Sequence, residues 1–241
     1  WCELWSMELN INKCKLMRMS REVTFTSTYN LNNTTLELVK SYKYLGVILS
    51  SDLSWNLHIN YVTNNANRRL GYLKRNFSLV PSSLKLFLYK ILVRSKLEYA
   101  ASIWDPGTTY LTDSLELIQN RSARFILANY NRTASVTSMK NTLSLPSLAH
   151  RRKISSICLF HKIFHHNTVL KNQLITPPSF VSARLDHRHK VGVPFCHYNK
   201  YFASFMPRVS NEWNHLPASL TSIIDSVLFC SNVSNHVFLV V

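Results

Sequence analysis

The sequence predicts an α+β chain, with a small β-rich part in front and a mainly α-helical bundle behind it. Three observations carry this. The stretch Y-K-Y-L-G-V-I-L-S-S-D-L-S-W-N-L-H (42–58) places aromatic and β-branched residues around Gly46 and closes on a Ser-Asp cluster, the pattern of a strand that stops. Directly behind it the period changes: Ile59, Val62, Ala66, Leu70, Leu73 and Phe77 follow at three- and four-residue steps, one face of a helix. With 241 residues, 46% of them hydrophobic, the chain can bury a real core in one large domain or two small ones.

Taken in order, Trp1, Leu4, Trp5 and Met7 are spaced as the inner face of a short helix, and Lys13 to Met17 reads as a short strand. Val23 to Tyr29 alternates like a strand, Asn30 to Asn33 supplies turn residues, and Leu36 to Val39 is another strand. These first 55 residues are too few for a core of their own and are expected to complete a sheet begun upstream. A glycine inside a strand, as at Gly46, marks a bulge or a close approach of other backbone or ligand. Helices follow from Trp55. The first ends before Pro81; the next is capped by Ser82-Ser83 and carries Leu84, Phe87, Ile91 and Leu92 towards Leu97, Tyr99 and Trp104. After the turn Asp105-Pro106-Gly107 a third helix covers Leu111 to Ala128, with Leu115, Ile118, Ser122, Phe125 and Ile126 on one face. A fourth spans Ser135 to Leu143. A fifth opens at Pro146 and runs to about His166, with Leu148, Ile157, Phe160 and Phe164 inward. Beyond Thr168 the pattern decays into Pro177-Pro178, a basic run from Arg184 to Lys190, and short aromatic elements.

Charge narrows the function. The 28 Lys and Arg against 12 Asp and Glu give +16, which points to a polyanionic partner. The cations are interleaved with apolar helical positions and so belong to a folded surface. Four glycines and the absence of G-x-G-x-x-G or a Walker-type string exclude a glycine-rich phosphate loop. Five scattered cysteines without C-x-x-C fit a reducing compartment and form no zinc framework. With no secretion signal and no apolar run of membrane-spanning length, the expectation is an intracellular protein, nuclear or cytoplasmic, with no membrane partner. The start at Trp1 suggests a piece of something longer.

Several strings together resemble one family. W-C-E-L-W-S-M-E-L-N-I-N-K-C-K and the 42–58 stretch are joined by Y-K-I-L-V-R-S-K-L-E-Y-A-A-S-I-W-D-P (89–106) and L-E-L-I-Q-N-R-S-A-R-F-I (115–126). L-P-S-L-A-H-R-R (145–152) and S-F-M-P-R-V-S-N-E-W-N-H-L-P (204–217) complete the set. In this order they resemble the C-terminal part of the reverse transcriptase of non-LTR, jockey-like retrotransposons. The resemblance implies a late palm over residues 1–55, a helical thumb over 56–168, and a basic, aromatic, partly irregular segment over 169–241. It implies as partners an RNA template with a DNA primer, and the upstream palm and fingers of the same polyprotein. Lys13 falls where the family's late-palm lysine meets the incoming triphosphate, with Lys15 competing for that place. Tyr44, Leu45, Gly46 and Val47 match the primer grip, which gives Gly46 a reason beyond a bulge.

Polymerase chemistry needs paired carboxylates holding two metal ions about 4 Å apart. The family supplies them upstream, and Mg2+ is expected for the full-length parent, with no cofactor in this chain. No Asp-Asp pair occurs here, and Asp52 and Asp113 read as helix-entry residues. The chain alone is therefore expected to be inactive. The alternative is a host-retained or decaying transposon-derived module that binds nucleic acid without catalysis.

Phosphate contacts are expected from Arg68, Arg69, Lys74 and Arg75 on the first helix, Arg121 and Arg124 on the third, and Arg151, Arg152 and Lys153 on the fifth. Glu98 and Glu116 are expected to neutralise arginines inside the bundle. A zinc site from Cys158, His161, Cys196 and His197 lacks any standard ligand spacing, so no metal is assigned. Trp5, Trp55, Trp104 and Trp213 are expected in the core.

Overall fold

A computed structural model describes residues 2, 4–19, 28–182, 184 and 186–238. They divide into two units, Trp1–Tyr61 and Val62–Val241.

The first unit begins with a single turn, closed by a Met7 N–H donating to the Cys2 carbonyl at 2.9 Å. Ser6 takes a left-handed backbone (φ 49°), which stops the coil before a helical face exists. Leu4, Trp5 and Met7 are accordingly exposed, contrary to the expected inner face, and Trp1 lies outside the described residues. Ile11–Lys13 form a 3₁₀ turn, so Lys13 precedes the strand it was expected to join. Strand β1 (Lys15–Leu16) pairs in parallel with β4 (Glu37–Leu38), Lys15 opposite Glu37. Between them β2 (Asn30–Leu31) and β3 (Thr34–Thr35) form a tight antiparallel hairpin. Its two loop residues, Asn32 and Asn33, are left-handed at φ 47° and 61°, a conformation that asparagine tolerates better than most residues. The strand expected over 23–29 lies, up to residue 27, outside the described residues.

Strands β5 (Ser41–Tyr44) and β6 (Val47–Ser50) form the second hairpin, with Tyr44 opposite Val47. Gly46 therefore sits in a two-residue turn (φ 88°) and not in a strand bulge. Asp52 accepts the Ser54 N–H at 3.0 Å on the way into helix α1 (Asn56–Asn76). Early in α1, buried His58 accepts the Ile48 N–H on Nδ1 at 3.2 Å, fixing the hairpin to the helix. Burial holds the His58 ring down at about 4.

The second unit continues α1 and adds α2 (Ser82–Leu88), a π-helical turn (Tyr89–Arg94) and α3 (Ser95–Glu98), wound without a break. Then come α4 (Thr109–Ile126), α5 (Val136–Thr142), α6 (Leu148–His166) and α7 (Thr168–Leu174). After an irregular stretch follow α8 (Asn199–Phe202), α9 (Phe205–Asn214), α10 (Ala218–Thr221) and α11 (Ser226–Phe238). Helix α6 is central, packing against α3, α4, α7, α9 and α11.

Side-chain caps explain the starts of α5, α6 and α7: Ser135, Ser147 and Asn167 each accept the N–H three residues on. Ser147 is thus the cap that places the fifth helix two residues later than Pro146. Ser82 and Ser83 are helical residues and do not cap α2 with their side chains. Asp113 lies within α4 and is no entry residue.

The faces of α1, α4 and α6 are those the periodicity predicts: Val62, Ala66, Leu70 and Leu73, then Leu115, Ile118 and Phe125, then Leu148, Ile157 and Phe160 are all buried. The face of α2 is not. Leu84, Phe87 and Ile91 are exposed (41%, 58% and 49%), while Lys85, Tyr89, Val93 and Leu97 are buried. Steps of four residues overshoot an α-helical turn by roughly 40° each, and the wider π turn takes up the excess. Tyr99 is also exposed, whereas Trp104 is buried. Past Thr168 the decayed pattern conceals a second apolar cluster, where Val209, Leu216, Leu220, Phe229 and Val233 surround Trp213 against Ile157 and Phe160.

Candidate nucleic-acid interface

In the first unit the expected primer-grip residues form the β5–β6 turn. Both central residues are left-handed, Leu45 at φ 45° and Gly46 at φ 88°. Glycine adopts this freely; leucine does so at a cost, and its side chain is 75% exposed. Tyr44 is also exposed, whereas Val47 is buried and roots the turn. Lys43 lies over the Tyr61 ring, its Nζ 4.4 Å from the centroid and 2.7 Å from the hydroxyl. The Tyr42 hydroxyl donates to the Lys13 carbonyl at 3.1 Å, bringing the 3₁₀ turn beside this hairpin. Lys15 is occupied by Glu37 at 2.6 Å, while the Lys13 side chain points to solvent.

In the second unit the nine expected phosphate contacts separate into two groups. Arg68, Arg69 and Arg75 are exposed on α1, and Lys74 is half-buried beside them. Arg121 on α4 is exposed and donates to Asn67 Oδ1 at 3.4 Å, so its cation lies next to those of α1. Among the described residues none of these five has an acidic partner. Lys153 is exposed as well.

Three cations expected at the surface instead hold the bundle together. Arg124 donates to the carbonyls of Asn131 (2.8 Å) and Ala134 (3.4 Å), closing the loop between α4 and α5. Arg151 grips both oxygens of Glu98, which also takes Arg94 at 3.8 Å; the hydrogen bond to Glu98 raises the Arg151 pKa further. Arg152, its side chain 2% exposed, meets Asp105 at 3.8 Å and lies over the Trp104 ring. Asp105 also faces Arg208 at 3.5 Å, and Arg208 reaches Glu212 at 3.8 Å. Burial pushes the Glu212 carboxyl up. Half-buried Glu98 and Asp105 thus hold Arg151 and Arg152 within the bundle, and main-chain carbonyls hold Arg124.

Glu116 acts electrostatically on buried Arg152, as expected of it, but its direct partners are others. It accepts the backbone N–H groups of Leu148 and Ala149 at the start of α6 and takes Lys140 at 3.7 Å, so its partners are a helix N-terminus and a lysine. A further buried relay, from the Tyr89 hydroxyl to Gln119 Oε1 (2.8 Å) and from Gln119 Nε2 to the Pro146 carbonyl (2.9 Å), had no visible signal in the sequence.

The zinc idea meets other commitments. Cys158 is joined to Cys230 as a disulfide between α6 and α11, a pairing the odd cysteine count did not suggest. His161, His165 and His166 donate from Nε2 to the carbonyls of Ile223, Thr221 and Ile224, tying α6 to the α10–α11 connection. Among the described residues no group of three or more His, Cys, Asp and Glu side chains could hold a metal ion, and no helix is long and apolar enough to cross a membrane. Trp104 and Trp213 are fully buried as expected, Trp55 is half-buried, and Trp5 is not in the core.

Neither a family model nor a solved structure matches this sequence. Three proteins do. The RNA-directed DNA polymerase from mobile element jockey of Drosophila funebris is 23% identical over 203 residues, covering 78% of this chain and 22% of that protein. Its counterpart in Drosophila melanogaster is 21% identical over 206 residues, again 22% of its length. An uncharacterized protein of Caenorhabditis elegans is 28% identical over 145 residues, 56% of this chain and 72% of that one. The chain thus spans about a fifth of the length of the two polymerases it matches. It is a distant relative of the RNA-directed DNA polymerases of jockey mobile elements.

Proposed function

We propose that this chain is the late-palm and thumb part of a non-LTR reverse transcriptase, that it holds an RNA–DNA template–primer duplex, and that alone it performs no nucleotide transfer. The observation that carries the reading is the set of cations on adjoining α1 and α4 (Arg68, Arg69, Arg75, Arg121) that have no acidic partner among the described residues, in a relative of RNA-directed DNA polymerases. Rigidly placed cations without acidic partners suit phosphates, whose contacts position a duplex without reading its sequence. The left-handed Leu45-Gly46 turn, with Lys13 beside its hairpin, is the counterpart of the primer grip in this reading.

A second reading has its own support. The C. elegans protein is matched over 72% of its length, which favours a free-standing nucleic-acid-binding module derived from such an element.

Both readings require duplex binding, measured by anisotropy of a labelled RNA–DNA hybrid across a salt series. Each neutralised phosphate steepens the fall of log K with log salt by about 0.9 for B-DNA, so a slope of roughly −4 to −6 is expected. Replacing Arg68 and Arg69 with Gln should flatten it by about one to two units, equally on unrelated sequences. A wild-type slope near zero, or a double variant with unchanged affinity and slope, defeats the assignment.

A further inference from the structure

Outside this cationic face, one surface is conspicuous for its chemistry. Between the irregular stretch and α9, residues 195–202 read F-C-H-Y-N-K-Y-F. Four aromatic side chains in these eight positions face solvent: Phe195 is 81% exposed, Tyr198 61%, Tyr201 49% and Phe202 48%. Aromatic side chains are ordinarily the largest contributors to burial, so this much exposed ring surface within eight positions is unusual.

The core does not need them. Pro207, Val209 and Trp213 already fill the inner side of α9, and the cluster around Trp213 is closed by Phe160, Phe229 and Val233. Nor do the exposed rings hang on loose chain. The Tyr198 carbonyl accepts the N–H groups of Tyr201 (3.0 Å) and Phe202 (3.1 Å), and the Ser204 hydroxyl donates to the Tyr201 carbonyl at 2.6 Å. The end of α8 is pressed against the Asp105-Pro106-Gly107 turn: a Cβ on Gly107 would lie 3.1 Å from that of Ala203. Phe195 is held edge-on to His197, centroids 4.7 Å apart.

Charge selects the partner. In the segment leading to these rings Lys190 is paired with Asp186 at 2.8 Å, while Arg184 and Arg188 are exposed, and the chain as a whole carries +16. Exposed π-faces on so basic a chain suit unpaired nucleobases, because a stacked ring accepts any base while cations attract the backbone phosphates. Paired bases have their faces hidden in the helix, so a duplex cannot use such a platform. A membrane surface is a poor alternative, since α8 is a four-residue helix without a broad apolar face.

We propose that Phe195, Tyr198, Tyr201 and Phe202 form a stacking platform for single-stranded nucleic acid, distinct from the duplex-binding cations of α1 and α4. The proposal extends the reading above to a second nucleic-acid form, and the two can fail separately.

The test uses the full chain and fluorescein-labelled oligo(dT) of about 15 nucleotides, with the RNA–DNA hybrid measured in parallel. Phe195→Ala with Tyr201→Ala should weaken oligo(dT) binding about 10- to 100-fold, the range expected for losing one or two stacked bases. The salt slope should stay unchanged, since no charge is removed, and hybrid binding should change about twofold or less. Phe195→Leu with Tyr201→Leu should lose as much as the alanine pair, and Phe195→Trp should bind at least as tightly as the wild type. Unchanged oligo(dT) affinity in the alanine pair, or full affinity in the leucine pair, overturns the platform while leaving duplex binding standing. Leucine retention would point instead to an apolar protein contact. A wild-type chain that binds the hybrid but not oligo(dT) also overturns it, and one that binds neither removes both proposals. Because the rings are exposed, the variants should melt with the wild type.

Discussion

Replacing Asp105 with Asn tests the division of the arginines into structural and surface groups. Asp105 sits between Arg152 Nε at 3.8 Å and Arg208 Nη1 at 3.5 Å, with Arg152 almost wholly enclosed. Burial pulls the Arg152 guanidinium below its ordinary pKa, and Asp105 is the strongest influence opposing that pull. Removing one member of a buried ion pair costs about 3–5 kcal/mol, mostly because the other charge is left without compensation. Here the loss is tempered: Asp105 is 22% exposed, both distances exceed a hydrogen bond, and Glu212 remains 3.8 Å from Arg208. We expect about 2–3 kcal/mol, or a fall in melting temperature of about 5–10 °C, read from urea titrations and thermal scans. Adding Arg152→Met should recover at least half of the loss, because it removes the stranded charge and refills its volume. The same Arg152→Met change should leave the salt slope for the RNA–DNA hybrid untouched. An Asp105→Asn variant within about 0.5 kcal/mol of the parent, or strictly additive changes in the double variant, refutes the buried-network argument. A flattened slope in Arg152→Met returns that residue to the interface.

Two further outcomes follow from packing and titration. Phe125→Ala should cost about 3–5 kcal/mol, since its ring is 3% exposed, whereas Phe87→Ala should cost about 1 kcal/mol or less because that side chain faces solvent; equal losses in denaturant titrations would mean that the π turn is misplaced. Burial holds His165 down at about 4 and lowers His161, so between pH 6.5 and 4 the unfolded chain binds protons that the native one refuses, and stability is present above that window and lost as pH falls through it. Urea midpoints measured from pH 7 to 4 should fall accordingly, and less steeply in His165→Gln.

Helices α1, α4 and α6 were legible because each buries one regular stripe, and period is what a sequence displays. The β5–β6 hairpin was legible as a strand-like stretch, and its turn only through resemblance, because Leu-Gly is not the usual pair for two left-handed residues. Phe87 and Tyr89 exchanged roles because a π turn leaves no compositional mark. Trp5 was misread because its spacing fits a helix that the left-handed Ser6 forbids. Arg124, Arg151 and Arg152 looked like surface cations because their partners, Asn131 and Ala134 carbonyls, Glu98 and Asp105, come from other elements or from main chain. Pairing across a fold is invisible to spacing along one helix. The core around Trp213 was missed because its buried residues are scattered, Val209 and Trp213 on α9, Leu220 on α10, Phe229 and Val233 on α11, with no stripe repeated over several turns.

The π turn at Tyr89–Arg94 also bears on how this chain tolerates changes in length. In an ordinary helix such as α4, losing one residue rotates everything beyond it by roughly 100° and carries one whole apolar stripe out of the core. A π turn already holds one residue more than the coil needs. Deleting exposed Ile91 would tighten the turn to α-helical winding while leaving Lys85 on one side and Val93 and Leu97 on the other facing as they do now. The segment 89–94 is therefore a point at which related chains can differ by one residue without re-registering the bundle, and sequences compared across it without a gap will fall out of phase by one position.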